Sequence, residues 1–184
     1  KDFDNYHTYS EAKKEIENGQ FFTPPKLCQY IMQSLMLSAG DTVADLACGM
    51  GSFFNFAPSE ENIYGCELDI KAFKVAHHLY PAAHIEWQDI RNYQPGIRFD
   101  YVVGNPPFHL KWRIDGDENM ESQLYYCVKA AQLLKPLGIL AILVPKSFLA
   151  DTFLDAKKIK LMETHFSYLG QVTLPDNSFS HLGV

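Results

Sequence analysis

The sequence predicts a doubly wound α/β fold, with a mostly parallel sheet and helices on both faces. Short apolar segments of strand length recur along the chain, and segments with helical periodicity separate them. The longest apolar run, residues 139–144, lacks polar alternation, which is typical of a parallel strand covered on both faces. With 184 residues, 47% of them hydrophobic and 21% charged, the chain can bury the core of one domain.

Six strands are predicted in order along the chain: residues 42–46, 62–67, 84–88, 99–104, 138–145 and 168–174. Helices are predicted at residues 10–18, 24–38, 70–79 and 118–134, and another helix opens at Lys146. Thr23 is a good N-cap for the second helix, with Pro24 in the first helical position. After residue 174 only ten residues remain, and they begin with turn residues. We therefore expect a cut end and an open sheet edge that invites pairing with another chain.

The most informative motif is Asn105-Pro106-Pro107-Phe108, which follows the predicted strand 99–104. Two prolines fix the backbone and remove competing N–H donors, so the Pro106 carbonyl can be held toward a ligand. Asn105 adds a side-chain oxygen and Phe108 adds a flat apolar face. Two acceptors beside an aromatic plate suit a planar ring with an exocyclic amino group, such as a flipped-out adenine. The alternative is a proline-rich turn that only ends the sheet.

Other candidate residues follow the three preceding strands. Residues 47–52 are small and include Gly49 and Gly51, so the backbone can approach a ligand, and a helix just beyond would aim its N-terminal amides at the same space. The next strand ends in Glu67, a carboxylate placed to grip two ribose hydroxyls. The third strand ends at Asp89. This ordered set favours a nucleotide-like cofactor more strongly than a lone Gly-x-Gly does.

These motifs resemble those of the class I S-adenosylmethionine-dependent methyltransferases, in particular the adenine-N6 DNA methyltransferases. Within that family, the motifs resemble those of the modification subunits of type I restriction systems. The matching motifs are residues 19–25, residues 45–51, Glu67, Asp89 and residues 105–108. The resemblance implies a Rossmann-like sheet that normally ends in an antiparallel strand. We expect that strand to be missing here.

The resemblance also implies a role for each site residue. Thr23 and residues 45–51 hold the methionine part of S-adenosylmethionine, and Glu67 accepts the ribose hydroxyls. Asn105 and Pro106 accept the two N6 hydrogens of the target base, which stacks on Phe108. The residues expected at the cofactor are Phe22, Thr23, Asp45, Ala47, Cys48, Gly49, Gly51, Glu67, Leu68, Asp89, Ile90 and Asn105; those at the acceptor are Asn105, Pro106, Pro107 and Phe108. Leu68 and Ile90 are expected to cover the cofactor adenine, and Asp89 to accept its amino group. No metal is expected.

We expect one structural domain. Residues 1–40 carry the Phe-x-Thr-Pro element, which is residues 21–24, and residues 41–184 form the catalytic core. The net charge of −6 argues against a domain that grips DNA alone. DNA recognition is therefore expected from a separate domain or subunit of a larger polypeptide or complex. The segment 109–113, with two cations and a tryptophan, could touch the strand around the base, or it could be an ordinary solvated loop.

The remaining composition favours a cytoplasmic protein. No apolar run approaches the roughly 18 residues needed to cross a bilayer, and the first residues lack the pattern of a signal peptide. The four cysteines, Cys28, Cys48, Cys66 and Cys127, lack metal-ligand spacing and are expected to be reduced and mostly buried.

Two other functions remain open from the sequence. The same site chemistry would suit methylation of RNA bases or of a glutamine amide in a protein, because each acceptor presents a planar amino group. A non-catalytic cofactor-binding domain within a larger protein is the second alternative. The Phe-x-Thr-Pro element favours adenine in DNA.

Overall fold

The computed structural model describes residues 23–108, 110–113, 119–150, 153–175 and 178. The strands are β1 Val43–Asp45, β2 Ile63–Glu67, β3 His84–Trp87, β4 Phe99–Gly104, β5 Lys111–Arg113, β6 Asn119–Glu121 and β7 Leu134–Ile142. The α-helices are α1 Pro25–Ser34, α2 Ile70–Leu79, α3 Ser122–Leu133 and α4 Ala156–His165. Short 3₁₀ turns occupy Phe54–Phe56, Glu60–Asn62 and Lys146–Leu149.

The sheet confirms the predicted α/β class. Five strands lie in the order β3-β2-β1-β4-β7, and every pairing among them is parallel. Asp45 of the central strand β1 lies beside Gly65 of β2 and Val103 of β4. Strands β5 and β6 form a separate antiparallel hairpin. The carboxyl ends of β1, β2, β3 and β4 therefore meet at one edge of the sheet.

The elements around the cofactor segments lie close to their predicted bounds. The first four strands are shifted by no more than one residue at either end, and α2 covers the predicted residues 70–79. Asp69 caps α2, because its side chain accepts hydrogen bonds from the amides of Lys71 and Ala72 at 2.6 and 3.1 Å.

The prediction that Thr23 caps a helix at residues 24–38 is wrong. Helix α1 begins at Pro25, Pro24 takes the N-cap position, and no side chain caps the helix. The Pro24 carbonyl instead accepts from the amides of Leu27 and Cys28. The helix ends at Ser34, since Met36 has a φ of 51° that a right-handed helix does not allow.

Two further predictions are wrong, one for the segment after the glycine loop and one for strand β7. The glycine loop leads into the 3₁₀ turn Phe54–Phe56 and not into an α-helix. Strand β7 begins at Leu134 and ends at Ile142, and its predicted full burial is wrong, because residues 139–144 are only half-buried. Leu134 pairs with Phe99 while Ile139 pairs with Tyr101, so the four residues between them bulge out.

The C-terminal part of the described chain also differs from the prediction. Residues 167–175 form no strand, and Tyr168, Leu169 and Val172 are exposed. Helix α3 begins at Ser122, since residues 119–121 instead pair with residues 111–113. The predicted loop at 109–113 is therefore largely a strand. The predicted helix at 10–18 lies outside the described residues.

The core lies on both faces of the sheet. One cluster joins β1, β4 and α3 through Ala44, Val102, Tyr126 and Ala130, and it also holds Tyr93. Among the described residues, no helix has the length and apolar character needed to cross a membrane.

Candidate active site

The glycine loop is closed by bonds to neighbouring strand ends. The Cys48 amide donates to the Cys66 carbonyl at 3.1 Å, and the Gly49 amide donates to Glu67 Oε2 at 2.7 Å. Gly51 has a φ of 83°, and a Cβ there would lie 2.7 Å from the Tyr80 ring and 2.8 Å from the Phe54 ring. Only glycine fits this position, because the loop backbone packs directly against the Tyr80 and Phe54 rings.

Glu67 is a bridge between the glycine loop and the start of α2. Its Oε1 accepts from the Asp69 amide at 2.7 Å, while Oε2 accepts from Gly49. The residue is only 9% exposed, and burial raises the pKa of its carboxyl. A carboxylate at the end of β2 was predicted correctly, and the sequence alone did not indicate that it also holds the loop.

Asp45 lies beneath the loop at the end of β1. It is 2% exposed, and its Oδ1 accepts from the Ala47 amide at 3.1 Å and lies 3.1 Å from the Tyr126 hydroxyl oxygen. Burial raises the pKa of this carboxyl from 3.8 to about 7. The sequence left open whether Asp45 contacts the cofactor or braces the turn. The bond to Ala47 braces the turn, and a contact with the cofactor stays a prediction.

The acceptor motif follows β4 directly. Pro106 is fully buried, whereas Asn105, Pro107 and Phe108 are half-buried. The side-chain oxygen of Asn105 is shielded from solvent. An amino group would therefore reach that oxygen only by displacing the atoms that cover it. The Gly104 carbonyl, just before the motif, accepts from the Leu143 amide at 2.9 Å.

The residues predicted around the cofactor adenine differ in their exposure and in their contacts. Leu68 is 66% exposed and offers an open apolar surface, whereas Ile90 is buried in the core. The Arg91 guanidinium donates hydrogen bonds to both carboxylate oxygens of Asp89. These bonds lower the pKa of Asp89. A contact between Asp89 and an adenine amino group would thus compete with Arg91. Thr23 is buried, and Phe22 lies outside the described residues.

Two polar residues of α3 were not predicted. Ser122 and Tyr126 are both fully buried. The Ser122 hydroxyl donates to the Pro107 carbonyl of the acceptor motif, and the Tyr126 hydroxyl donates to the Val103 carbonyl near the end of β4. The sequence of the predicted helix at 118–134 is dominated by an apolar stripe through Met120, Leu124 and Val128, which conceals the polar contacts. The available signal was a serine and a tyrosine four residues apart, which places them on one helix face.

The described residues contain no cluster of three or more His, Cys, Asp or Glu side chains able to hold a metal ion. All four cysteines are buried free thiols, as predicted. Burial raises the pKa of Cys28 and Cys127 to about 12, which keeps both as unreactive thiols near neutral pH.

We expect the protein without ligand to lose stability as the pH rises from about 5 to 7. In this range the unfolded chain has released the proton of Asp45, but the folded protein retains it because burial raises the pKa of this carboxyl to about 7. The raised pKa of Glu67 acts in the same direction. The folded state then binds more protons, so the free energy of unfolding falls with pH, by about 1.4 kcal/mol for each pKa unit. Asp89, Asp100 and Glu121 have lowered pKa values, so their stabilisation is lost only at lower pH.

Urea unfolding at pH 5, 6 and 7 measures this slope. The Asp45→Asn variant keeps a neutral side chain of the same shape, and we expect it to remove most of the slope. An unchanged slope in that variant, or stability that rises with pH, would contradict the assignment to Asp45.

The strand order, the glycine loop and the acidic strand ends define the fold of a class I S-adenosylmethionine-dependent methyltransferase, whose methyl donor is S-adenosylmethionine. The profile of the N-6 DNA methylase family matches residues 6–184. The chain therefore belongs to the N-6 DNA methylase family.

Solved structures and relatives agree with this fold. A structure from Listeria monocytogenes assigned to the class I S-adenosylmethionine-dependent methyltransferases has a TM-score of 0.66 at 15% identity, over 86% of this chain and 58% of that one. A structure from Vibrio vulnificus assigned as a modification subunit of a type I restriction enzyme has a TM-score of 0.63 at 20% identity, over 85% and 41% of the two chains.

Among curated relatives, a type I restriction enzyme methylase subunit from Methanocaldococcus jannaschii is 31% identical over 118 residues. That match covers 55% of this chain and 21% of the relative. Across four curated relatives that it matches, the chain spans from 8% to 42% of their length.

Proposed function

We propose that the protein transfers a methyl group from S-adenosylmethionine to the exocyclic N6 of adenine in DNA, with the base flipped out of the duplex. The observation that carries the proposal is the position of residues 105–108. They leave β4 beside the end of β1, where the glycine loop begins, because Val103 and Asp45 are register partners. An acceptor held by the motif thus lies next to a cofactor held by the loop.

The cofactor side of the site fits S-adenosylmethionine. The glycine loop is held in a fixed conformation by the bond from the Gly49 amide to Glu67, and the buried Glu67 lies at the same sheet edge. Leu68, exposed next to Glu67, suits the flat adenine ring. When bound, the cofactor supplies an electrophilic methyl group on a sulfonium sulfur.

The acceptor side polarises and orients the target amino group. The Asn105 oxygen and the Pro106 carbonyl accept the two N6 hydrogens, which returns electron density to a nitrogen whose lone pair is delocalised into the ring. Phe108 stacks on the base and fixes its plane. Such orientation of two reactants is worth about 7 to 11 kcal/mol.

DNA recognition is proposed to come from another domain or subunit. The chain carries a net charge of −6, and Lys111 of the hairpin lies opposite Glu121, which also bonds to Lys158. A DNA duplex is bound mainly through lysine and arginine contacts to phosphates. The catalytic domain would therefore receive the flipped base from a partner that holds the duplex.

Replacement of Glu67 by alanine is expected to weaken S-adenosylmethionine binding by roughly tenfold to hundredfold. The substitution removes a charge-assisted bond to the ribose, worth about 1.5 to 3 kcal/mol, and also releases the Gly49 amide. Calorimetric titration measures the change. Glu86→Ala, at an exposed position on the neighbouring β3, is the matched control and should leave the affinity unchanged.

The proposed function is tested by labelled methyl transfer with the full-length protein and its recognition partner. DNA, RNA and protein acceptors are offered in parallel, and the DNA product is digested to nucleosides for mass spectrometry. N6-methyladenine in the DNA sample supports the proposal. Cofactor binding with label only in RNA or protein would overturn the acceptor assignment, and absence of cofactor binding would overturn the enzymatic one.

A further inference from the structure

One face of helix α3 contacts both the segment that leads into the glycine loop and the segment that leads into the acceptor motif. The Tyr126 hydroxyl accepts a hydrogen bond from the Leu46 amide at 2.9 Å and donates to the Val103 carbonyl at 2.6 Å. Leu46 is the last residue before the glycine loop, and Val103 lies two residues before Asn105. One buried hydroxyl therefore connects the strand end that leads to the cofactor loop with the strand end that leads to the acceptor motif.

Ser122 lies one helical turn earlier and holds the other side of the acceptor motif. Its hydroxyl donates to the Pro107 carbonyl, and its amide donates to the Leu110 carbonyl at 2.9 Å. Ser122 thus engages the second proline carbonyl and not that of Pro106, which is proposed to face the base.

The packing around Tyr126 fixes these contacts closely. A Cβ at Gly104 would lie 2.7 Å from Tyr126 Cζ and closer still to the hydroxyl oxygen. Tyr126 is fully buried, so the ring cannot move aside into solvent. Residues 105–108 are consequently held between Tyr126 at their start and Ser122 at their end.

We propose that Ser122 and Tyr126, together called the α3 clamp, are positioning residues that set the acceptor motif against the cofactor loop. The inference rests on the proposed function. The clamp acts through Asn105 and Pro106 and through the loop after Leu46. Because misplacement of reacting groups by about 1 Å can lower a rate by about 10²-fold, two buried hydroxyls can control the rate from outside the site.

The chain supplies matched controls for both members of the clamp. Tyr93 is also fully buried in the same core cluster, and its hydroxyl makes no hydrogen bond to any residue that the structure describes. Tyr93→Phe therefore removes a buried hydroxyl without breaking a described contact to the site. Cys127 is fully buried on α3, so Cys127→Ala loosens the same helix without touching the motif.

The test compares Tyr126→Phe and Ser122→Ala with these controls in the full-length protein. We expect each clamp variant to lower kcat by roughly tenfold to hundredfold, and each control to stay within about twofold. Ser122→Ala should leave cofactor affinity unchanged, whereas Tyr126→Phe should weaken it as well. In an Asn105→Ala background, each clamp variant should lower kcat by a smaller factor than in the wild type, because part of its effect passes through the residue already removed.

Hydrogen exchange gives a second measurement that does not need activity. The Leu46 amide should lose protection in Tyr126→Phe, and peptides covering residues 104–110 should exchange faster in both clamp variants, but not in the controls. Normal exchange, or kcat losses that multiply fully with Asn105→Ala, would overturn the clamp. Absence of methyl transfer by the wild type would count against the proposed function alone, since exchange still tests the clamp.

Discussion

Asn105→Ala is expected to lower methyl transfer to DNA by about 10²-fold or more while S-adenosylmethionine affinity stays within a few-fold. The substitution deletes one of the two proposed acceptors for the amino hydrogens, and the loss of one polar contact to a transition state costs about 10² to 10³ in kcat. Asn105 follows β4 and is not among the residues that close the glycine loop. Its loss should therefore affect the reacting base much more than the cofactor, because the other residues expected at the cofactor remain.

Single-turnover transfer and cofactor calorimetry, on a preparation shown to be active, separate these two effects. Phe108→Ala should resemble Asn105→Ala, whereas Phe108→Tyr should retain activity because either ring can stack on a base. Asn92→Ala, at an exposed position after β3, is the control. Loss of cofactor binding in Asn105→Ala, or transfer at the wild-type rate, would show that the motif does not hold the acceptor.

Gly104→Ala is expected to be the most damaging single methyl addition near the site. The added Cβ would overlap the Tyr126 hydroxyl and lie 3.0 Å from Asp45 Oδ1, and neither group has space to move. Overpacking of this kind costs about 3 kcal/mol, which corresponds to a fall in Tm of roughly 6 to 12 °C for a chain of this size. We also expect kcat to fall, since Tyr126 would lose its bonds to both strand ends.

Thermal unfolding and methyl transfer are measured side by side with Gly40→Ala, where an added Cβ meets nothing within 4 Å. The control should keep both stability and activity. A Gly104→Ala protein with the wild-type Tm would mean that Tyr126 is less tightly held than the structure shows.

The sequence predicted the sheet well where local signals and tertiary environment agree. The strands β1 to β4 are short apolar runs bounded by turn residues, and α2 has a good cap in Asp69. The bounds of α1 were wrong because two adjacent prolines moved the helix start past Thr23. The strand predicted at 168–174 is absent because apolar alternation alone does not supply a neighbouring strand to pair with.

The strand-end residues of the site could be predicted from the sequence, whereas the contacts made by α3 could not. Glu67, Asp45 and the glycine loop lie together at one sheet edge because parallel strands bring their carboxyl ends together. The roles proposed for individual residues toward cofactor and base stay predictions. Tyr126 and Ser122 could not be predicted, since their contacts depend on how α3 crosses strand ends that lie up to 80 residues away in sequence.

The strand order also determines the sequence of events during synthesis on the ribosome. Strands β1, β2 and β3 follow one another along the chain and can pair once residue 87 has emerged. The other edge of β1 stays unpaired until β4, residues 99–104, has been synthesised. Parallel pairing between distant segments is slow because the chain entropy of a long loop is lost first. We therefore expect the cofactor half to form early and the acceptor half to join it late, so slow translation between residues 87 and 126 would favour correct assembly.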